Sequence, residues 1–196
     1  TIICQSNFMY SSLIAKSPKV LAKKSIVIKN LVDFSRINDC LNENFDVNYK
    51  FFVYVGRLSP EKNIIQIIKA FNIIKDKTDS KLLIIGNGSE FKKIKNFIKS
   101  CNLQDRVLML GFKKNPYKYL KKSISLILFS KYEGLPNVVL ESMYCKTPVI
   151  ISNFDGSDEI VKHNQTGYIV KKNDVKKLAE FMFDISTKLA RVKLLA

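Results

Sequence analysis

After Asn48, short apolar runs alternate with longer segments of helical period, and this alternation limits what the chain can fold into. The short runs are rich in β-branched residues and have the length of strands, whereas the longer segments repeat apolar residues at intervals of three or four. Strands joined by helices in this order are typical of βαβ units. The predicted strands are Phe51 to Val55, Lys81 to Ile85, Val107 to Leu110, Ile124 to Phe129, Pro148 to Ser152 and Gly167 to Val170.

The segments between these strands are predicted helices whose apolar faces must be covered. Ile64, Ile68 and Phe71 share one face of the first helix, which therefore packs on a sheet. The strands are apolar on both faces, so helices must cover both sides of the sheet. We expect an α/β fold of Rossmann type with a doubly wound parallel sheet. The predicted helices are Glu61 to Lys75, Ser89 to Ser100, Pro116 to Lys122, Pro136 to Cys145, and Asp174 onward.

The first 45 residues fit this alternation poorly. They contain a predicted strand, a short helix, a second strand at Ser25 to Ile28, and a polar stretch from Asn38 to Asn48 that resembles a linker. The chain opens with Thr1 inside an apolar run, so we expect the natural protein to begin earlier. We assign residues 1–45 to the remnant of a preceding domain and its linker, and residues 46–196 to the principal domain.

The chain is strongly basic, with 33 Lys and Arg against 17 Asp and Glu and a net charge of +16. Such a field attracts anions, which include nucleotides, nucleic acid and acidic membrane surfaces. RNA-binding modules carry aromatic platforms beside their basic residues, and the sequence has no such string, so nucleic acid is not an expected partner. The four cysteines are scattered and there is one histidine, which argues against a zinc site and favours a reducing cytoplasm.

A glycine and two cations follow the first strand of the predicted sheet. Gly56, Arg57 and Lys62 lie where that strand ends and a helix follows, and ligands bind at this edge of a doubly wound sheet. Arginine offers a fork for phosphate and lysine a mobile point charge, so the pair suits a diphosphate. The alternative is a plain turn, with Ser59 as N-cap, Pro60 at the first helical position and exposed basic residues.

A glycine turn follows the second strand. Gly86 and Gly88 flank Asn87 at the same predicted edge, where they would allow a ligand to approach the backbone. A pattern of two glycines is weak evidence for such a role. The alternative is a loop that needs glycine only for its backbone conformation.

The turn before the fourth predicted helix carries the most informative pattern. Pro136 suits the first helical position, so Gly134 and Leu135 form the turn and the amides of Asn137 and Val138 point out of the helix. Free amides at a helix N-terminus bind phosphate.

Two carboxylates flank this turn. Glu133 lies before the helix and Glu141 lies more than one turn inside it, so one can meet a ligand at the loop while the other accepts hydrogen bonds from hydroxyls. Sugars and ribose present such hydroxyls. The alternative makes Glu133 a surface residue and Glu141 a capping or ion-pairing residue. We interpret the nearby Tyr132 and Phe154 as packing residues.

Together these strings resemble glycosyltransferase family four over about residues 48–190. The resemblance implies the C-terminal half of a two-domain, B-type fold and a retaining transferase that uses a nucleoside-diphosphate sugar. The strings that carry it are Gly56-Arg57-Leu58 with Lys62, Gly86-Asn87-Gly88, Leu110-Gly111-Phe112, Glu133-Gly134-Leu135-Pro136-Asn137 with Glu141, and Thr147-Pro148-Val149-Ile150.

The resemblance also implies roles for individual residues. Arg57 and Lys62 would bind the diphosphate, Glu141 the ribose, and Glu133 would lie near the donor sugar. The implied catalytic residues are Glu133, Arg57 and Lys62. The implied donor-binding residues are Gly56, Arg57, Lys62, Gly86, Gly88, Gly111, Phe112, Gly134, Leu135, Pro136, Asn137, Val138 and Glu141.

In this interpretation residues 1–30 resemble the tail of an acceptor-binding domain, most of which is absent. We therefore expect the chain to bind the donor but to turn over poorly. The expected partners are the nucleotide sugar, a glycan or lipid-linked acceptor of bacterial surface polysaccharide synthesis, and an anionic face of the membrane on its cytoplasmic side. No cofactor is expected, and no metal, since the chain lacks an Asp-x-Asp motif.

The chain departs from the family pattern at two places. Lys146 stands where relatives often have glycine, at a predicted left-handed position that costs a lysine roughly 1 kcal/mol. The segment from Asp155 to Glu159 replaces a common Gly-Gly before a glutamate, which leaves the sugar open.

Two other function classes also remain open. One is a nucleic-acid or anionic-surface binding module that uses the basic sheet edge, and the other is an epimerase or phosphorylase that shares the phosphate site.

Overall fold

A computed structural model of the chain describes residues 1–16, 24–43 and 45–187. Eight strands lie in these ranges: β1 Ile2–Cys4, β2 Ser25–Val27, β3 Phe51–Val55, β4 Lys81–Ile85, β5 Val107–Gly111, β6 Ser125–Leu128, β7 Val149–Ser152 and β8 Tyr168–Val170. Strands β3 to β8 form one parallel sheet in the order β5-β4-β3-β6-β7-β8. All six strands run in the same direction, but the side on which successive strands are added switches between β3 and β6. This switch opens a crevice at the carboxyl ends of these two strands.

Seven α-helices lie in the described ranges: α1 Asn7–Lys16, α2 Phe34–Leu41, α3 Ile64–Ile74, α4 Phe91–Ser100, α5 Tyr117–Lys122, α6 Asn137–Tyr144 and α7 Val175–Thr187. They form two groups, because α3 contacts α4 and α7 whereas α5 contacts α2 and α6. The sheet strands are buried between them, and the side chains of Phe51 and Ile150 have no exposed surface. The predicted doubly wound α/β fold is confirmed.

The first sheet helix starts later than the sequence predicts. Pro60–Lys62 form a short 3-10 turn, and Asn63 follows with a left-handed φ of 55°. This residue interrupts the helix, which then runs from Ile64 to Ile74. Asparagine tolerates the left-handed region better than most residues, so the break is inexpensive. The part of the last predicted helix beyond residue 187 lies outside the described residues.

The polar stretch predicted as a linker is helical in its first part. The Asp33 carboxylate accepts a hydrogen bond of 3.0 Å from the Arg36 amide and so begins α2. Ile37 points into the core with no exposed surface, and α2 packs against α5. The helix is strongly amphipathic, although the overall composition of the segment is polar. The domain boundary near residue 45 stays a prediction.

The first residues form a separate small unit that docks on the loop after β7. Strands β1 and β2 pair in parallel, and α1 follows β1. The Glu159 carboxylate accepts hydrogen bonds from the amides of Asn7 at 3.1 Å and Phe8 at 2.7 Å, and from the Asn7 side chain at 3.1 Å. A carboxylate at the N-terminus of α1 accepts hydrogen bonds from the free amides of the first turn, and its negative charge interacts favourably with the positive end of the helix dipole.

The docking of α1 should depend on the charge of Glu159. Partial burial acts to raise the pKa of this carboxyl, but the hydrogen bonds from Phe8 and Asn7 outweigh it and the net pKa is lowered from 4.5. The contact is therefore at full strength above 4.5 and weakens as the pH falls through the lowered pKa. Amide chemical shifts of Asn7 and Phe8, followed by NMR during acid titration, should report this loss.

The Glu159→Gln variant is the matched control for that titration. It keeps the size of the side chain but removes its titration, so the Asn7 and Phe8 shifts should no longer follow the pH over that range. An unchanged titration in the variant would contradict the assignment.

Lys146 occupies the left-handed position that the sequence predicts after α6. Its φ is 57°, and the other non-glycine residues with positive φ in the described ranges are all asparagines. We expect Lys146→Gly to stabilise the fold by about 1 kcal/mol, because glycine removes the steric penalty there. Thermal unfolding measures the gain. Lys171→Gly, at a loop lysine without a positive φ, should destabilise slightly or have no effect.

Candidate active site at the carboxyl edge of the sheet

The loops after β3, β4 and β5 are bonded to one another. Leu58 donates its amide to the Asn87 carbonyl at 2.9 Å, and the Glu90 amide donates to the Leu58 carbonyl at 2.9 Å. On the other side, the Gly86 amide donates to the Gly111 carbonyl at 2.8 Å. Three segments that the sequence separates by tens of residues therefore form one backbone layer at the predicted ligand edge.

The two glycines after β4 are required by this layer. A Cβ atom on Gly86 would lie 1.9 Å from the Gly56 carbonyl oxygen, and one on Gly88 would lie 2.3 Å from the Leu58 carbonyl oxygen. Only glycine permits such approaches. Backbone packing alone is therefore sufficient to explain why both residues are glycine. Their contact with a donor stays a prediction.

A cavity of about 410 Å³ opens beside this layer. It brings together four of the predicted donor residues, since Gly56, Arg57, Gly86 and Phe112 all line it. Phe112 is 73% exposed despite its apolar ring. Lys113 also lines the cavity and was missed by the sequence analysis, although its place directly after the Gly111-Phe112 string was a usable signal. Cavities of 540 and 600 Å³ elsewhere contain none of the predicted site residues.

Two of the three predicted catalytic residues form an ion pair. The Lys62 ammonium lies 2.7 and 2.8 Å from the two carboxylate oxygens of Glu133, and the Ser130 hydroxyl donates to Glu133 at 2.6 Å. The side chains of Lys62 and Glu133 are 17% and 10% exposed. Glu133 is therefore not the surface residue of the alternative interpretation. The pair connects the loop after β3 with the loop after β6, across the switch in strand order.

The N-terminus of α6 differs slightly from the prediction. Pro136 is the N-cap rather than the first helical residue, because its ψ of 105° is extended and the helix begins at Asn137. No side-chain cap blocks this end. The Asn30 side chain donates to the Leu135 carbonyl at 2.8 Å and to the Asn137 side chain at 2.7 Å, and so fixes the turn. Leu135 and Pro136 are buried, so their side chains serve packing.

The start of this turn is in close contact with the first residues of the chain. A Cβ atom on Gly134 would lie 2.7 Å from the Gln5 side-chain oxygen, so the first residues of the chain lie directly against the turn. Val138 is partly buried on the first turn of α6. The predicted phosphate contacts of this end of the helix stay predictions.

Glu141 lies on the second turn of α6 and is not among the residues that line the cavity. Burial raises the pKa of its carboxyl, and the Arg36 charge opposes that shift. Burial and the Glu141 charge also raise the pKa of Tyr117, which directly follows the cavity residue Pro116. Glu141 is thus a half-buried carboxylate between α2 and α5, and the described residues show no salt bridge to it within 4.0 Å. Its role on a ribose stays a prediction.

Of the two predicted packing residues, one is confirmed. Phe154 is 1% exposed, whereas Tyr132 is 65% exposed and the prediction for it is wrong. Tyr132 lies where the chain has left β6 and has not yet entered α6, so it has no layer to pack against. An exposed aromatic beside the Lys62–Glu133 pair was not anticipated.

Within the described ranges, no three His, Cys, Asp or Glu residues are grouped to hold a metal ion. In the same ranges, no helix has both the length and the apolar character needed to span a membrane.

Comparisons with known proteins place the chain in a family. The model of the glycosyl transferases group 1 family matches residues 39–187, which is most of the chain. The chain belongs to this family, and the resemblance stated above is confirmed.

Two curated relatives and one solved structure illustrate the similarity. An N-acetylgalactosamine-N,N'-diacetylbacillosaminyl-diphospho-undecaprenol 4-alpha-N-acetylgalactosaminyltransferase of Campylobacter jejuni is 35% identical over 150 residues, which are 76% of this chain and 40% of that protein. A UDP-Gal:alpha-D-GlcNAc-diphosphoundecaprenol alpha-1,3-galactosyltransferase of Escherichia coli is 32% identical over 78% of this chain and 42% of that protein. Anabaena HepE in complex with UDP superposes with a TM-score of 0.82 at 20% identity, over 98% of this chain and 56% of HepE.

The ion pair between Lys62 and Glu133 should stabilise the two loops that it joins. Lys62→Met leaves the largely buried Glu133 without its cation, so we expect a loss of about 1–3 kcal/mol in the free energy of unfolding. The double variant Lys62→Met with Glu133→Gln should recover part of this loss, as urea unfolding would measure. Strictly additive effects would show that the contact is not formed in solution.

An exposed pair provides the control for this cycle. Lys177 and Glu180 lie 2.7 Å apart but are 49% and 60% exposed. Lys177→Met should therefore cost less than about 1 kcal/mol.

Proposed function

We propose that this chain binds the nucleoside-diphosphate sugar donor of a retaining glycosyltransferase. The observation that carries the proposal is the cavity lined by Arg57, Lys113 and Phe112, which opens at the carboxyl edge of the sheet where the Lys62–Glu133 pair also lies. Cations for a diphosphate, an aromatic ring for a base and a carboxylate for a sugar then follow one another along a single edge. Family membership supports the same conclusion.

The donor would lie with its base against Phe112 and its diphosphate toward Arg57. The ring offers a flat apolar face, and a guanidinium can hold two phosphate oxygens at once. The Glu141 carboxylate would accept hydrogen bonds from the ribose hydroxyls, because a partly buried charge is stabilised by hydrogen-bond donors. The sugar would extend toward Glu133, which Lys62 and Ser130 hold in place.

In the transfer step, the bond between the anomeric carbon and the diphosphate oxygen breaks while the acceptor oxygen bonds to the same face of the sugar. The acceptor proton passes to the departing diphosphate or to a base in the other half of the protein. Negative charge grows on the diphosphate, and Arg57, Lys62 and the amides of Asn137 and Val138 would stabilise it. These groups supply the positive potential, so we propose a reaction that needs neither a metal ion nor a cofactor.

We further propose a glycan or lipid-linked acceptor in bacterial surface polysaccharide synthesis, with the enzyme at the cytoplasmic face of the membrane. The names of the Campylobacter jejuni and Escherichia coli relatives include diphosphate-linked undecaprenol. The net charge of +16 would favour contact with anionic lipid. The chain spans 40% and 42% of those two relatives, so we propose that full activity requires the acceptor-binding half as well.

Nucleotide binding by the chain tests this proposal. We expect UDP to raise the melting temperature and Arg57→Ala to weaken UDP binding by about 10-fold or more, because a charge-assisted phosphate contact is worth roughly 1.5–3 kcal/mol. Isothermal titration calorimetry measures the affinity. Lys99→Ala, which removes an exposed cation from α4, should leave it unchanged. Equal loss in both variants, or binding of oligonucleotides with a steep salt dependence in place of UDP, would favour the binding-module alternative.

A further inference from the structure

Tyr54 lies directly beneath the loop that carries Arg57. It is a residue of β3 whose side chain has no exposed surface. Its ring ends under Gly56, where a Cβ atom would lie 3.0 Å from the Tyr54 hydroxyl oxygen. The hydroxyl donates a hydrogen bond of 2.8 Å to the Arg57 carbonyl. A polar atom at the end of a buried aromatic ring therefore contacts the backbone of a predicted catalytic residue.

This bond holds a part of the loop that the neighbouring backbone hydrogen bonds do not hold. The Gly56 amide donates to the Ile85 carbonyl at 3.0 Å, and the Leu58 amide donates to the Asn87 carbonyl at 2.9 Å. Both bonds go to the β4 side and leave the intervening Arg57 carbonyl free. The Tyr54 hydroxyl donates to that carbonyl from the buried side of the loop. The Arg57 side chain therefore lies on the exposed side, where it lines the cavity.

The surroundings of Tyr54 keep the hydroxyl a donor. Burial raises its pKa, and the negative charges of Glu133 and Glu61 raise it further against the opposing charge of Arg57. The hydroxyl therefore stays protonated at neutral pH and can donate to the Arg57 carbonyl.

We propose that Tyr54 is a positioning residue for Arg57, whose backbone it fixes so that the guanidinium is ready to meet a diphosphate. The proposal rests on the proposed function, because it assumes that the Arg57 side chain binds phosphate. It adds a residue that never contacts the ligand and that acts only through the loop. Preorganisation of this kind lowers the cost of ordering a long side chain when the ligand binds.

A double-mutant cycle with UDP as the probe tests the coupling. Tyr54→Phe removes only the hydroxyl, and we expect it to weaken UDP binding by roughly 3- to 10-fold, the range of a lost neutral hydrogen bond. In an Arg57→Ala background the same change should have no effect, because the side chain to be positioned is gone. A merely structural tyrosine would weaken binding by the same factor in both backgrounds, and that result would overturn the proposal.

Two controls separate the other outcomes. Tyr119→Phe removes a hydroxyl from another largely buried tyrosine, on α5, and should leave UDP affinity unchanged. Uridine, which lacks phosphate, should bind the wild type and Tyr54→Phe equally. If the wild type bound neither UDP nor any other nucleoside diphosphate, the proposed function itself would fail. If the wild type bound UDP and Tyr54→Phe bound it equally well, only the positioning role would be refuted.

Discussion

The candidate site depends on the close approach of two backbone loops, one after β3 and one after β4. The carbonyl oxygens of Gly56 and Leu58 lie where Cβ atoms on Gly86 and Gly88 would be, at 1.9 and 2.3 Å. A backbone atom at that distance leaves no room for any side chain, so the arrangement requires glycine at both positions. The loops beside the cavity therefore have a tightly packed backbone, and the side chains that line the cavity, such as Arg57 and Phe112, start from a rigid base.

The Lys62–Glu133 pair extends this rigid base across the switch in strand order. It joins a loop from one half of the sheet to a loop from the other, with a third contact from Ser130. Two opposite charges that are largely withdrawn from water lose solvation, and the low local dielectric strengthens the attraction between them. In the absence of a ligand each charge compensates the other. A ligand anion near Lys62 would change this balance.

The fold was predictable because its determinants are local in sequence. The strands β3 and β4 have the predicted bounds, since runs of β-branched residues between turns have few other uses. The left-handed Lys146 was predictable because a helix end requires that conformation. By contrast, the second half of α2, from Asn38, was assigned to a linker, because the apolar residues of the helix, such as Ile37 and Leu41, are too few to stand out in a polar composition.

The site was predictable as a set of segments but not as a set of contacts. Periodicity and chain order bring Arg57 and Phe112 to one edge, because the carboxyl ends of parallel strands coincide. Neither can show that Lys62 pairs with Glu133, or that Tyr54 supports Arg57 from below. Tyr54 illustrates the reason, since in the sequence it is one aromatic residue of an apolar strand. Its hydroxyl gains a role only when the loop folds back over it.

The contacts of the first residues divide the site into two parts. The cavity walls come from the loops after β3, β4 and β5, and none of the residues that line it belongs to residues 1–30. The turn before α6 is different, because Asn30 bonds Leu135 and Gln5 lies against Gly134. The cavity that we propose for the base and diphosphate is thus lined entirely by residues after position 46. The turn that follows Glu133 is shaped partly by residues 1–30, so a sugar at the position that we propose would meet a surface that depends on that segment.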